Sequence, residues 1–194
     1  NHDNNTNHNH DNENPSDSNV DVPVDLLLYG NSYTSFDNID QILFDMFESV
    51  GEPNSTSANT GGGLDLKDHW NNINATGNTW NTSLRDVSHT WDFVILQDQS
   101  QIPGLLRTDQ NWLDSMNSGI AIADAVADEG SETMLFMTWG RRGGDPTYPT
   151  LYSNFTNMQD RLEAGYIDYR DNMSTPSRDI WIAPVGLGFK TIYN

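Results

Sequence analysis

The chain has 194 residues and a mass of 21.8 kDa, which is enough for one α/β domain with a substantial core and too little for two. Its formal net charge of -19 excludes nucleic acid as an expected partner, because a phosphate-binding surface needs clustered Lys and Arg. The absence of cysteine excludes disulfides, thiolate metal sites and a Cys nucleophile. No apolar run approaches the ~20 residues that a bilayer span needs, so we expect no membrane insertion.

The first 22 residues are almost entirely Asn, Asp, His, Ser and Glu. Too little apolar surface is present there to offset the entropy of ordering, so residues 1–22 are predicted to be a disordered linker. His2, His8 and His10 could bind a metal transiently, but an Asn-rich tether that contains His is the favoured interpretation, and no metal site is predicted. The folded domain is expected to span residues 23–194.

Five segments are predicted to be β-strands. Most are short apolar runs, which are typical of parallel strands covered on both faces, while the second is polar and is expected at the edge. The segments are Val24–Tyr29, Ser55–Thr60, Asp92–Gln97, Thr133–Thr138 and Ile180–Val185.

Helical segments alternate with these strands. Between the first two strands, apolar residues recur every three or four positions, which predicts one amphipathic helix that ends at Gly51. These residues are Ile39, Ile42, Leu43, Met46, Phe47 and Val50. Further helices are predicted over 64–70, 112–129 and 151–167. The alternation predicts a three-layer α/β/α sandwich with a parallel, flavodoxin-like sheet of strand order 2-1-3-4-5.

Functional residues in such sheets lie in loops at the carboxyl ends of the strands. The first strand is followed by Gly30-Asn31-Ser32-Tyr33-Thr34, in which Gly30 permits a sharp turn and Ser32 enters the next helix. That position suits a nucleophile, although Ser32 could equally serve only to cap the helix.

Two other loops could assist such a serine. Gly61-Gly62-Gly63 follows the second strand, and Gln97-Asp98-Gln99-Ser100 follows the third. A glycine amide and a side-chain amide beside a serine would form an oxyanion hole for acyl transfer. Each loop alone is explained as well by a flexible turn or a surface glutamine, so the combination carries the hypothesis.

Together these blocks resemble the SGNH hydrolase superfamily, in particular a subgroup whose first block reads G-N-S-[YF]-T. The matching elements are the Ser32 block, G-G-x-x-L-x-x-H from Gly62 to His69, and W-D-[FY]-V-[IV]-L-Q-x-Q-S from Trp91 to Ser100. The resemblance implies that Ser32 is the nucleophile and that its amide, the Gly63 amide and the Gln99 side chain form the oxyanion hole. Gln97 is the alternative to Gln99.

The superfamily takes its general base from a D-x-x-H block after the last strand, and no such block follows Val185. The resemblance therefore leads us to expect that the domain is C-terminally incomplete and lacks the catalytic His and Asp. His69 and His89 are the histidines beyond the linker. His69 accompanies the glycine loop, where a role near the substrate and simple helix packing are both open.

Four residues are assigned to substrate binding: Asn31, Gly62, His69 and Trp139. Trp139 follows the fourth strand and could offer a face to a sugar, although tryptophans at such spacings are more often packed in the core. Arg141 and Arg142 could bind a substrate carboxylate or sulfate, but pairing with Asp145 is the favoured interpretation.

The predicted function is a serine hydrolase of the esterase or acetylesterase type that needs no cofactor and acts on small-molecule or carbohydrate esters. The alternative is a non-catalytic carbohydrate-binding or accessory module with an SGNH-like fold. A flavodoxin-like cofactor domain ranks below both, because no phosphate-binding glycine pattern is present. Sequons such as Asn154-Phe155-Thr156 would matter only in an exported chain, and an extracellular or cell-surface location is expected.

Overall fold

Parallel strands form a five-stranded sheet in the computed structural model, which describes residues 23–193. The predicted linker, residues 1–22, lies outside the described residues. The strands are β1 (Val24–Gly30), β2 (Asn54–Thr60), β3 (Phe93–Leu96), β4 (Glu132–Phe136) and β5 (Ile180–Ala183). Their order is β2-β1-β3-β4-β5, and all neighbouring pairs are parallel. The predicted parallel α/β fold and its 2-1-3-4-5 order are confirmed.

Helices connect the strands and flank the sheet. They are α1 (Ser32–Ser35), α2 (Ile39–Val50), α3 (Leu66–Ile73), α4 (Thr79–Leu84), α5 (Gln110–Asp128), α6 (Phe155–Met173) and α7 (Val185–Tyr193), with a 3-10 turn over Ile102–Gly104. Side chains that accept from backbone N–H groups begin several of them, as Asp65 does for α3 and Asn154 for α6. None of the helices within residues 23–193 combines the length and apolar character that a bilayer crossing requires.

The two faces of the sheet are buried unequally. Alternate residues of β1 point to opposite faces, so Leu27 and Tyr29 belong to the large core against α3, α5 and α6, while Leu26 and Leu28 face α2. The α2 side is the smaller cluster, and α2 itself has no fully buried residue.

Only three of the six residues in the apolar stripe predicted for α2 pack against the sheet. Ile39, Leu43 and Phe47 pack against the sheet. The remaining three are exposed, with 44% of Ile42, 60% of Met46 and 71% of Val50 accessible. The two rows are offset by three residues, which places them about 60° apart around the helix, so one row contacts the sheet and the other faces outward.

Helices α4 and α7 were not predicted, and the one helix predicted between the first two strands is observed as two, α1 and α2. The segment around α4 is too polar to show an apolar period, but the Asn78 side chain accepts from the Trp80 N–H and begins a turn of helix. The last strand was predicted to reach Val185, whereas β5 ends at Ala183 and Val185 is the first residue of α7. Helix α7 contains Gly186 and Gly188, which lower its helix propensity.

Candidate active site

Strand register brings the three predicted loops to one edge of the sheet. Gly30, the last residue of β1, pairs with Thr60 of β2, and the Gly61 N–H donates to the Gly30 carbonyl at 3.3 Å. On the other side, the Gln97 N–H donates to the Tyr29 carbonyl at 2.8 Å. The glycine loop and the β3 loop therefore flank the turn that carries Ser32.

Asn31 ties these loops together. Its side-chain amide donates to the Leu64 carbonyl at 2.9 Å and to the Asp98 carbonyl at 3.4 Å, while its Oδ1 accepts from the Tyr33 N–H at 3.1 Å. The residue is 2% exposed. Asn31 thus positions the serine loop, and its buried amide is already engaged by the protein rather than open to the substrate-binding role assigned to it.

Gln97 holds the same turn from beneath. Its Oε1 accepts from the Asn31 N–H at 3.0 Å and from the Thr34 hydroxyl at 2.7 Å, and the side chain is buried. A Cβ at Gly30 would lie 2.1 Å from Thr34 Oγ1 and 3.0 Å from Gln97 Oε1. Glycine is therefore required at position 30 for this close packing rather than for an unusual backbone angle.

Ser32 itself is exposed just beyond the carboxyl end of β1. It is the first residue of α1, so its amide N–H has no partner within the helix. No residue among 23–193 hydrogen-bonds to its hydroxyl. Asn31, not Ser32, caps the helix, since the Asn31 side chain accepts from the Tyr33 N–H. The capping alternative for Ser32 is thereby removed.

The glycine loop presents bare backbone beside Ser32. Gly61 to Leu64 form a turn closed by the Leu64 N–H on the Gly61 carbonyl at 3.4 Å. Gly63 has φ +72°, a left-handed conformation that favours glycine, and no atom would come within 4 Å of a Cβ at Gly62 or Gly63. Gly63 is exposed and its N–H makes no hydrogen bond to any of residues 23–193, so it is available as an oxyanion donor.

Gln99 is the better placed of the two candidate side-chain donors. It is half-buried, and its amide donates one hydrogen bond, to Gln101 Oε1 at 2.9 Å, so its second N–H is unassigned. The Gln97 amide is instead buried and donates to the Asp98 carbonyl at 2.7 Å. The geometry favours Gln99 over Gln97 as an oxyanion donor.

Asp98 is a buried carboxylate that was not predicted to be a site residue. Its Oδ1 accepts from the N–H groups of Leu66 and Gln99 and from the Ser115 hydroxyl, and its Oδ2 accepts from the Tyr169 hydroxyl at 2.9 Å. Burial raises the pKa of Asp98 to about 7, against the lowering effect of the Tyr169 hydrogen bond. Asp98 joins the β3 loop to three helices behind the cleft.

His69 is buried behind the glycine loop. The Trp80 indole N–H donates to its Nδ1 at 3.3 Å, which makes Nε2 the protonated nitrogen that donates to the Gln97 carbonyl at 3.2 Å. Burial lowers the pKa of His69 to about 4, so the ring is neutral near pH 7. Both nitrogens are occupied, which fits the packing alternative and leaves none for a substrate or for the Ser32 proton.

His89 lies at the opposite edge of the sheet. Its Nε2 is 3.3 Å from Asp25 Oδ2, close enough for an ion pair although not aligned as a hydrogen bond. Asp25 is at the start of β1 and Gly30 at its end, a separation of roughly 16 Å along an extended strand. His89 therefore cannot reach Ser32 in this fold.

Trp139 is packed between two aromatic rings. It stacks on Tyr33 at 4.5 Å and on Phe189 at 4.3 Å between ring centroids, with interplanar angles of 20° and 21°. Two rings stacked on the same indole face would touch each other, and Tyr33 and Phe189 do not, so they cover opposite faces. Trp139 therefore has no free face for a sugar, contrary to the predicted stacking role.

Arg141 is anchored in the wall of the cleft. Its guanidinium pairs with the buried carboxylate of Asp145 at 2.9 Å and also donates to Ser100 Oγ and Gln101 Oε1. The expected pairing with Asp145 is confirmed. Over residues 23–193, no group of three or more His, Cys, Asp or Glu side chains could hold a metal ion.

Comparisons with known proteins identify the fold. No protein-family model matches the chain, and a comparison with curated proteins finds no match. Among solved structures, a candidate SGNH hydrolase from Slackia heliotrinireducens matches with a TM-score of 0.66 and 20% identity over 88% of this chain and 83% of that one. The acetyl xylan esterase AlAXEase matches with a TM-score of 0.59 and 10% identity over 88% and 83%.

A candidate acylhydrolase from Bacteroides fragilis also matches, with a TM-score of 0.50 and 13% identity over 86% of this chain and 69% of that one. These likenesses confirm the SGNH hydrolase fold that the sequence motifs implied. At such low identity they establish the fold alone, because one fold hosts many activities.

Proposed function

We propose that this chain is a serine hydrolase that cleaves carboxylic esters through an acyl-enzyme, with Ser32 as the nucleophile. The observation that carries the proposal is the meeting of three loops around an exposed Ser32, with the open Gly63 backbone on one side and Gln99 on the other. This is the arrangement that an oxyanion hole for acyl transfer requires.

In the proposed reaction, Ser32 Oγ attacks the ester carbonyl and the alcohol leaves, so that the acyl group is bonded to Ser32 until water releases it. Negative charge develops on the carbonyl oxygen during both attacks. The amides of Ser32 and Gly63 and the second N–H of Gln99 are the groups proposed to stabilise it. Fixed donors of this kind lower the barrier because they need no reorganisation as the charge develops.

The buried groups beneath Ser32 support its role indirectly. Asn31 and Gln97 fix the serine loop through hydrogen bonds to both neighbouring loops. A nucleophile on so constrained a turn keeps its position relative to the oxyanion donors, and preorganisation of this kind is a large part of catalytic efficiency. The accessory-module alternative gives no reason for this bracing of an exposed serine.

The general base is the part of the proposed machinery that residues 23–193 do not bring to Ser32. His69 has both nitrogens engaged, and His89 lies at the far edge of the sheet. A positioned base contributes on the order of 10²–10⁴-fold to such reactions. This observation favours the second candidate, a carbohydrate-binding or accessory module that keeps the fold without turnover.

The finer proposal is that the substrate is an acetyl ester, carried by a carbohydrate and met outside the cell. It is supported by the likeness in fold to AlAXEase, which is an acetyl xylan esterase. It is also supported by the open setting of Ser32, which would admit a bulky alcohol portion.

The experiment measures hydrolysis of 4-nitrophenyl acetate by the 194-residue chain with and without added imidazole, which can replace a missing histidine. We expect slow turnover that imidazole accelerates. Ser32→Ala should abolish the protein-dependent part, while Ser35→Ala, which alters another exposed serine of the same helix, should leave it unchanged. Equal rates for the parent chain and Ser32→Ala in imidazole would support the accessory module instead.

A further inference from the structure

An aromatic pocket of about 550 Å³ is lined in part by Tyr33, the residue that follows Ser32. Its wall continues through the Tyr33–Trp139–Phe189 stack. A second stack, in which the Phe155 and Tyr193 rings lie 4.1 Å apart, forms another part of the wall. The body of the pocket is therefore apolar and suited to a ring or a short acyl chain.

Two arginines form the polar part of this pocket, and they differ in their partners. Arg141 is held by Asp145, Ser100 and Gln101, so its charge is largely neutralised. Arg142 is exposed and makes no hydrogen bond or ion pair with any of residues 23–193. Arg141 thus fixes the loop, whereas the positive charge of Arg142 is not paired with a carboxylate of residues 23–193.

The state of Arg142 is exceptional in this chain. All nine Lys and Arg residues lie within the described part of the sequence, where carboxylates are plentiful. Seven of them form ion pairs there: Lys67, Arg85, Arg107, Arg141, Arg170, Arg178 and Lys190. Arg161 donates to the Gly104 carbonyl at 2.9 Å, which leaves Arg142 without a described partner.

We propose that this pocket selects esters that carry a carboxylate or sulfate group on an apolar or ring-shaped body, and that Arg142 binds this anion. The proposal rests on the proposed function, because it places the scissile carbonyl at Ser32 and the anion toward Arg142. A guanidinium pairs with carboxylate or sulfate through directed N–H bonds. In a chain of net charge -19, binding of an anionic ligand requires a local cation that offsets the repulsion from the acidic groups.

The test uses direct binding, so that it does not depend on turnover. Phenylacetate and its neutral counterpart phenylacetamide are titrated against the full chain, with Trp fluorescence and ligand-observed NMR as readouts; phenyl sulfate serves as the sulfate probe. We expect the anions to bind about fivefold to tenfold more tightly than the amide, as one solvent-accessible charge-assisted contact allows. Added salt should reduce this preference.

Three variants assign the preference to one side chain. Arg142→Gln should remove it, Arg142→Lys should retain most of it, and Arg170→Gln should leave it intact. Arg170 is a suitable control because it is a surface residue near the far end of α6, paired with Asp171. Each variant is also assayed with 4-nitrophenyl acetate in imidazole.

The outcomes separate the two proposals. Anion preference lost in Arg142→Gln supports the inference, whatever the hydrolysis assay shows. Equal binding of phenylacetate and phenylacetamide, or an unchanged preference in Arg142→Gln, overturns it even when Ser32-dependent hydrolysis is present. Absence of hydrolysis together with Arg142-dependent anion binding would defeat only the serine hydrolase proposal.

Discussion

Two glutamines only two positions apart serve different purposes in the candidate site. Gln97 is buried and accepts from the Asn31 N–H and the Thr34 hydroxyl, so it maintains the serine loop. Gln99 is half-buried, and one hydrogen of its amide has no partner among residues 23–193. The sequence motif predicted both as candidate oxyanion donors, and only their burial and hydrogen-bond partners distinguish them.

Methionine is close in shape to glutamine but lacks the amide, so substitution at each position tests the role of that amide. Gln97→Met would leave two buried donors without an acceptor, and we expect the free energy of unfolding to fall by about 1–3 kcal/mol. Gln99→Met should change it by less than about 0.5 kcal/mol yet slow Ser32 phosphonylation by about 10²-fold. Urea unfolding and fluorophosphonate labelling measure the two effects. Reversed effects would exchange the proposed roles of Gln97 and Gln99.

The glycine loop offers a matched pair at the level of the backbone. Alanine at Gly63 must adopt φ near +72°, which costs about 1–2 kcal/mol, whereas Gly62 has no such angle and also has open space around it. Gly63→Ala should therefore lower the urea midpoint and Gly62→Ala should change it little. Equal midpoints for the two variants would show that the loop does not keep this conformation in solution.

At the scale of elements, the alternation of strands and helices could be predicted from the sequence because four of the five strands are distinct apolar runs bounded by turns. The polar strand β2 was predicted at the sheet edge although it has no apolar run, and its register with β1 puts the glycine loop beside Ser32. Helices α4 and α7 were missed, since neither shows a clear apolar period and α7 contains Gly186 and Gly188. Contacts with the rest of the domain override such local signals.

Asp98 links several elements and gives the fold a pH dependence. Its pKa is raised from 3.8 to about 7 in the folded chain, so between about pH 4 and 7 the folded state holds a proton that the unfolded state has lost. Ionisation of this group therefore lowers stability as pH rises through that window, and the loss is complete above about pH 7.

We expect the stability of the parent chain relative to Asp98→Asn to decrease from pH 4 to pH 7 and then to level off. Thermal unfolding of both proteins over this range isolates the contribution of Asp98 from that of the other carboxylates. A difference that grows with pH would mean that the hydrogen bonds from Tyr169, Ser115 and the backbone outweigh burial and lower the pKa of Asp98 instead.

At the scale of the whole molecule, acidic charge dominates. Seven of the nine Lys and Arg side chains are already paired with carboxylates, so most of the remaining acidic groups repel one another. Screening should relieve this repulsion more than it weakens the exposed ion pairs. We expect the midpoint of thermal unfolding to rise between low salt and about 0.5 M NaCl. A midpoint that falls would show that the ion pairs matter more than the net charge.

The candidate site was predictable in part, because serine, glycine and glutamine stand at strand ends that a parallel sheet must bring together. The contacts that hold the site in place were not predictable, since nothing in the sequence indicates that Asp98 reaches Tyr169 or that Trp139 lies between Tyr33 and Phe189. Those contacts join residues far apart in the chain and depend on how the helices pack against the sheet.

The most direct test of Ser32 as the nucleophile is the site of reaction with a fluorophosphonate, which forms a bond with an activated serine and imitates the charged intermediate of ester hydrolysis. Peptide mass spectrometry of the labelled chain should place the modification on Ser32, with imidazole accelerating it. Ser35, exposed on the same helix, is the internal control and should remain unmodified. Labelling of Ser35 at the same rate as Ser32, or no faster labelling of Ser32 than of other exposed serines, would contradict the assignment of Ser32 as the nucleophile.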